Sequence, residues 1–234
     1  MGHMQAMGFY KVPFITVIYG LLYNWFAVND ARNICSAGWH VPIAADWTTL
    51  YTYFGGFGGQ ATAGGKLKEI GFTYWDSPNT GATNEVAFNL RGAGSRNYTA
   101  GSFSLILRIT RLWSADESSI DVNKGKLLSV VYNSAATTFP RALSYSSIDK
   151  NTGCSVRPIK DSTILTDGQT GIYTGNDGKI YRTICIGTQE WVADNIAETK
   201  YLNGDDIPEV IADAAWIGLA TGAWCYYDND PSYM

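Results

Sequence analysis

The turn Asn176-Asp177-Gly178, set between Ile172-Tyr173 and Ile180 to Ile186, constrains this chain more than any other stretch. It places residues that accept positive φ between two β-prone runs, which is the pattern of a hairpin. Trp191 follows at once. A second β-prone run spans Leu127 to Tyr132. The segment after Pro42 has a different period. Trp47, Leu50, Tyr51 and Phe54 fall at i, i+3, i+4 and i+7, which predicts a helix from Ala44 to Phe54 with one apolar face. Gly55-Gly56 ends it. Hairpins and isolated helices together indicate the α+β class.

The remaining stretches are read from their punctuation. Val12 to Val28 carries no charge, but Pro13, Thr16, Gly20 and Asn24 interrupt it, and its seventeen residues are at the short limit for a membrane span. It is expected to be a buried strand from Phe14 to Tyr19, then a helix or turn from Leu21, with no membrane insertion. Gly55 to Gly65 reads as a glycine-rich loop. It lacks the Lys-Ser/Thr that a phosphate loop needs, since Leu67 follows Lys66, and a helix rather than a strand precedes it. A short helical turn is expected from Lys66 to Ile70. Trp75 to Glu85 is expected to be an ordered loop, its polar side chains bonded to their own backbone.

Composition excludes several functions. The chain has 234 residues, 14% aromatic and only 16% charged, which suits a packed core and not a disordered chain. A net charge of −4 is wrong for a basic nucleic-acid binder. Residues 91–160 hold ten Lys/Arg and four Asp/Glu, whereas residues 191–234 hold one Lys and eight Asp/Glu. Two attracting faces of one fold, or a locally positive binding face, both fit this split. His3 lies in Met1-Gly2-His3-Met4, which reads as a cloning scar. His40 is then the one informative histidine, so a zinc site built on several histidines is excluded. Cys35, Cys154, Cys185 and Cys225 form no CxxC pair. They are read as buried thiols, with one long-range disulfide as the alternative. Asp177, Asp205, Asp206, Asp228 and Asp230 match no twelve-residue calcium loop.

Several motifs occur in a recognisable set. They are Gly38-Trp39-His40-Val41-Pro42, Asp46-Trp47-Thr48-Thr49-Leu50, Ala63-Gly64-Gly65-Lys66-Leu67-Lys68-Glu69, Ser77 to Glu85 (SPNTGATNE), Leu112-Trp113-Ser114-Ala115 and Ser155-Val156-Arg157. Together they resemble the Fibrobacter succinogenes major paralogous domain. The resemblance implies an α+β, C-type lectin-like fold of mixed short strands with two helices, related to formylglycine-generating enzymes. The order differs from that family. Its opening motifs match Ile186 to Trp191 (IGTQEW) and Gly222 to Asp230, and its next motif matches Tyr19 to Trp25 (YGLLYNW). The chain therefore reads as a circular permutant. In that reading residues 1–17 are leader and first strand, 18–161 the family's last two thirds, 162–171 the joining segment, and 172–234 the family's opening third. All would pack as one domain. A fragment of two tandem repeats is the alternative. The family places a cysteine just after Ser-Val-Arg, where this chain has Pro158, so a Cys35–Cys154 pair stays open.

The resemblance also frames function. No reactive cysteine pair of the formylglycine-generating type is present, and no residue near Cys154 or Cys225 would stabilise a thiolate. His40 before a helix reads as a packing residue. The sugar-binding Glu-Pro-Asn and Gln-Pro-Asp motifs of C-type lectins are missing, and no cofactor is implied. Between intact framework positions lies Ser104-Leu105-Ile106-Leu107-Arg108-Ile109-Thr110-Arg111, apolar and cationic by turns without a clean period. A buried strand is one reading. An exposed loop is the other, and a mixed patch of that kind would mark a binding site. The family is similar to the variable proteins of diversity-generating retroelements, where adenine-directed change scatters asparagine codons over a limited residue set. Residues 104–111 all belong to that set, as do Phe139, Arg141, Ser144, Tyr145, Ser146 and Ile148.

The expected function is a non-catalytic display module for a protein or cell-surface ligand, set on a bacterial surface, outside the cell or on a phage particle. The expected site joins Arg96, Asn97 and Tyr98 to Ser104–Arg111 and to Arg141, Ser144, Tyr145 and Ile148. Leu107, Arg108 and Ile109 are expected to be replaceable together without loss of stability. Residues 116–138 are expected to be an insertion near the same face. An oxidase or hydrolase, and a purely structural surface module, are the alternatives.

Overall fold

A computed structural model describes residues 17–55, 60–138 and 147–234. The chain opens with strand β1 (Leu22–Tyr23), helix α1 (Trp25–Val28), β2 (Trp39–His40), α2 (Ala44–Tyr53) and α3 (Gln60–Leu67). A run of strands follows: β3 (Ala93–Arg96), β4 (Phe103–Ile106), β5 (Ile109–Glu117), β6 (Lys124–Val131), β7 (Thr137–Thr138), β8 (Ser147–Asp149) and β9 (Ile159–Lys160). The last quarter holds β10 (Thr170–Thr174), β11 (Ile180–Ile186), β12 (Gln189–Val192), α4 (Asp213–Ile217) and β13 (Trp224–Cys225). The class is α+β, with four α-helices among the described residues where the resemblance implies two.

Three sheets join distant parts of the chain. One has the order β10-β11-β12-β9-β2, so the late hairpin is extended by two early strands through Trp191 opposite Ile159. A second pairs β1 with β13, Tyr23 opposite Trp224. The third has the order β4-β3-β5-β6-β7, with β8 also paired to β6. Three apolar clusters are buried among the described residues, two of them large. Tyr23, Trp39, Trp113, Tyr173, Tyr181 and Trp224 meet in one, and Trp47, Leu112, Ile159, Ile184 and Trp191 in the other. Each cluster therefore draws on residues both before 160 and after 170.

Local chemistry explains the elements. In the hairpin turn Gly178 takes φ +84°, and Asn176 Nδ2 donates to the carbonyls of Ile34 and Lys200. Helix α2 starts where the Asp46 carboxylate accepts from Ile43 N, and it buries Trp47, Leu50 and Tyr51. Gly55 at φ +103° follows its end. Asn24 caps α1 by accepting from Ala27 N, and its amide donates to Thr221 O. The uncharged run is core: Val17, Leu21, Leu22 and Tyr23 are all buried. The expected strand there is not formed at Val17–Tyr19, and Phe14 to Thr16 lie outside the described residues. Gly20 at φ +74° bends the chain against the Asn195 backbone, where a Cβ would meet Asn195 O at 2.8 Å.

The Gly64-Gly65 pair is helical, which corrects the loop expected from Gly55 to Gly65 for residues 60–65. Helix α3 also ends at Leu67, earlier than the turn expected to reach Ile70. Its glycines are there for close approach. A Cβ on Gly64 would lie 2.5 Å from Ala136 O, and one on Gly65 would lie 2.2 Å from Gly81 O. One turn further on, buried Lys68 gathers the backbone that these glycines admit. Its Nζ donates to the carbonyls of Thr80 (3.0 Å), Val131 (3.1 Å), Tyr132 (3.3 Å) and Ser134 (3.0 Å). Burial pulls its pKa down to about 8, which still leaves an ammonium at neutral pH. Among the described residues no helix is long and apolar enough to cross a membrane.

Two substitutions test this corner. Gly65→Ala is expected to lower stability by about 1–3 kcal/mol through overpacking. Lys68→Met, similar in length, is expected to cost about 2–4 kcal/mol because buried carbonyls lose their donor. Urea unfolding monitored by tryptophan fluorescence measures both.

Candidate functional site

Strands β3 and β4 form an antiparallel hairpin, and β5 lies on the other side of β3, parallel to it. To reach that side the chain passes over Gly92 at residues 107–108. A Cβ on Gly92 would lie 2.7 Å from the Leu107 carbonyl carbon. The crossing is fixed by Leu107 N donating to Gly92 O (2.7 Å), Asp76 N to Leu107 O (2.8 Å) and Tyr132 N to Arg108 O (2.9 Å). Two leucines adopt left-handed backbone here, Leu105 at φ +66° and Leu107 at φ +62°. For a bulky side chain that geometry costs about 1–3 kcal/mol and persists only where surrounding contacts impose it.

This geometry divides the expected site. Arg96 leaves it, being fully buried. Its guanidinium donates to the carbonyls of Gly101 (2.7 Å), Val210 (2.6 Å) and Ile211 (2.6 Å), pairs with Asp213, and stacks on Trp216 and Phe103. Thr110 and Ile109 also leave it. Thr110 is fully buried and donates to Arg91 O, while Ile109 is 8% exposed and pairs with Val131. The three-residue replacement expected to be harmless therefore reaches the core at Ile109. Asn97 is occupied by its own turn, accepting from Thr99 N and Ala100 N. Arg111 is half-buried and donates to Ser95 Oγ. Ile106 and Ile148 pack against core clusters. Arg141, Ser144 and Tyr145 lie outside the described residues, as do Phe139 and Ser146.

Ser104, Leu105 and Arg108 remain exposed, with Leu107 half-buried beside them. They sit on β4, an outer strand of its sheet, and on the crossing after it. Leu105 is 42% exposed. Arg108 pairs with Asp76 at 2.7 Å and lies over the Tyr132 ring, but more than half of its side chain faces solvent. The segment is divided between the two sequence readings: Ile109–Arg111 open the inner strand β5, with Ile109 and Thr110 buried, whereas residues 104–108 stay on the surface. The surface part is an outer strand with a strained exit. Tyr98 lies at the far end of β4, in the β3–β4 turn, on a separate cleft. The run at 127–131 lies in β6, as its β propensity indicates.

His40 and the four cysteines are either paired or buried. His40 Nδ1 lies 2.6 Å from Asp161 and Nε2 3.1 Å from Asp46, which raises its pKa and fixes β2 to the start of α2. All four cysteines are free and buried, so no Cys35–Cys154 disulfide forms. Burial pushes the Cys154 and Cys225 thiols up to about 12. Asp205 pairs with Arg32, Asp206 with Lys200 and Asp177 with Lys179, while Asp230 accepts from Ser232 N.

One buried carboxylate gave no sequence signal. Glu198 is fully buried against Gly175, where even a Cβ would overlap its Oε1. Oε2 accepts from Asp177 N at 3.3 Å. Burial, then the neighbouring Asp177 charge, raises its pKa from 4.5 to about 8. The folded state thus binds a proton that the unfolded chain releases. The stability this contributes is complete below about pH 4.5 and is lost as pH rises through about 8. Glu198→Gln is expected to flatten that dependence. At pH 8.5 it should raise the melting temperature by about 2–4 °C for each kcal/mol of penalty removed. Thermal melts of both proteins from pH 5 to 9 measure it.

A family model described as the Fibrobacter succinogenes major domain matches residues 14–160. No curated protein and no solved structure matches the chain.

Proposed function

The chain belongs to the Fibrobacter succinogenes major domain family, and from that premise we propose that it is a non-catalytic binding module displaying a changeable outer strand to a protein or cell-surface ligand. One observation carries this reading. Leu105 and Leu107 are held at positive φ beside exposed Arg108, in a segment whose backbone is fixed from several sides. Strain of this kind concentrates at functional sites. A leucine–arginine patch supplies an apolar contact and a bidentate donor, the pair that anchors interfaces. A rigid frame lets such side chains change without loss of the fold. We propose further that the fold is C-type lectin-like and that the segment is diversified as in retroelement variable proteins. A bacterial surface, extracellular or phage setting is part of that proposal.

Circular permutation belongs to the same reading. Ile18 N donates to Met234 O and Tyr19 N to Tyr233 O, so residues 233–234 sit beside the Tyr19 to Trp25 motif that follows them in the family order. The buried, raised thiols count against the oxidase alternative.

Three measurements follow. Sequencing the native locus across a population should show adenine-directed variation in the codons for Tyr98, Ser104, Leu105, Leu107 and Arg108, and none at Arg96 or Thr110. Even variation along the chain would overturn diversification. In the folded protein, a library randomised at Ser104 and Arg108 should keep most members within about 0.5 kcal/mol of the parent, as exposed positions do. A library at Arg96 and Thr110 should lose most members to proteolysis. A chromogenic thiol reagent at pH 7 should titrate no cysteine rapidly before denaturation, and four after it.

A further inference from the structure

At the far end of β4 an open cleft of about 610 Å³ forms where the β3–β4 turn, the β5–β6 tip, the end of β8 and the end of α4 converge. Its volume is within the range of small-ligand sites. Phe26, Tyr98, Val122 and Ile217 form its apolar side. Val122 is 70% exposed and Tyr98 36%, so they stand open to an incoming group.

The polar groups in the cleft are unbalanced. Lys150 lines it, but its ammonium is bonded to Glu117 and lies 4.4 Å from the Trp25 ring centre. Asn151 uses its amide N–H on Ile217 O at 2.7 Å, which leaves its side-chain oxygen. Thr99 donates its hydroxyl to Asn97, which leaves its lone pairs. Asp149 alternates with core-packed Ile148 along β8 and so faces outward. Lys124, opposite Asp149 across the strand pair, turns instead to Asp121 at 3.4 Å. Among the described residues no donor meets the Asp149 carboxylate. Apart from the Tyr98 hydroxyl and the Asn123 amide, which can each donate or accept, the cleft thus offers acceptors and one carboxylate without a donor beside its apolar side.

We propose that this cleft binds a primary ammonium or guanidinium carried on an apolar stem. The cation would meet Asp149 and the oxygens of Asn151 and Thr99, and the stem would lie along Tyr98, Phe26 and Val122. A charge-assisted bond at a half-buried carboxylate discriminates well against neutral analogues. A free amine and a Lys or Arg side chain of a protein partner share this chemistry. The site is independent of the strained segment at residues 104–108.

The test uses the whole chain, labelled with 15N, at pH 7. Phenethylamine, 2-phenylethanol and 3-phenylpropanoate are titrated while the amides of Thr99, Asn123 and Asn151 are followed. Saturable shifts are expected there with phenethylamine, and binding at least tenfold weaker with the neutral and anionic analogues. Asp149→Asn should erase that preference with an unchanged melting temperature. Val122→Trp should fill the cleft and abolish the shifts. Equal binding of the three compounds, shifts elsewhere or none, or an amine preference surviving in folded Asp149→Asn would overturn the proposal. If Asp149→Asn fails to fold, Val122→Trp decides, and amine shifts surviving in it overturn the proposal. A capped Ala-Phe-Lys-Ala peptide, set against its norleucine counterpart, separates the sources. Response to the lysine peptide assigns a protein side chain, and response to phenethylamine alone assigns a free amine.

Discussion

Three buried cations hold this structure together because so little of it is regular. Most strands span two to five residues, so long stretches of backbone lack a ladder partner and still pass through the interior. A buried carbonyl without a donor is destabilising by about 1–3 kcal/mol. Lys68, Arg96 and Arg157 supply the missing donors. Arg157 bonds the carbonyls of Phe88, Asn89 and Ala193 and the Asn195 side chain. Arg96 does the same for residues 101, 210 and 211, and Lys68 for four carbonyls around residues 80 and 131–134. Each cation ties together segments far apart in sequence.

That arrangement explains what could be read from residues alone. The 172–186 hairpin and α2 were legible because local periodicity and turn chemistry suffice for both. The Gly64-Gly65 helix was not, because glycine signals a loop locally while its role here is set by the Ala136 and Gly81 carbonyls. Arg96 illustrates the same limit. A cation in a polar, glycine-rich stretch looks exposed, yet residues 210–213, more than a hundred positions away, enclose it. Glu198 and the cleft were invisible for a like reason, since each is assembled from parts of the chain that share no motif.

The segment at residues 104–111 shows where pattern reading ends. Its lack of period reflects a chain that leaves one side of β3 and rejoins on the other, so consecutive residues face different surroundings. Leu105 and Arg108 face solvent, Thr110 faces the core, and Leu107 is held by the crossing itself. The strained crossing and the cleft lie at opposite ends of β4, so Arg96 at the end of β3 braces the turn that carries Tyr98, and Gly92 seats the crossing.

The sheet built from β10, β11, β12, β9 and β2 sets the timetable of folding. The β2–β9 pair has no neighbour on its inner side until β12 arrives, and the two large apolar clusters stay open until Tyr173, Trp191 and Trp224 are in place. A ribosome making this chain releases most of it before its interior can close. Pairing over such long separations in sequence slows folding, because the loops must close before the contacts reward them.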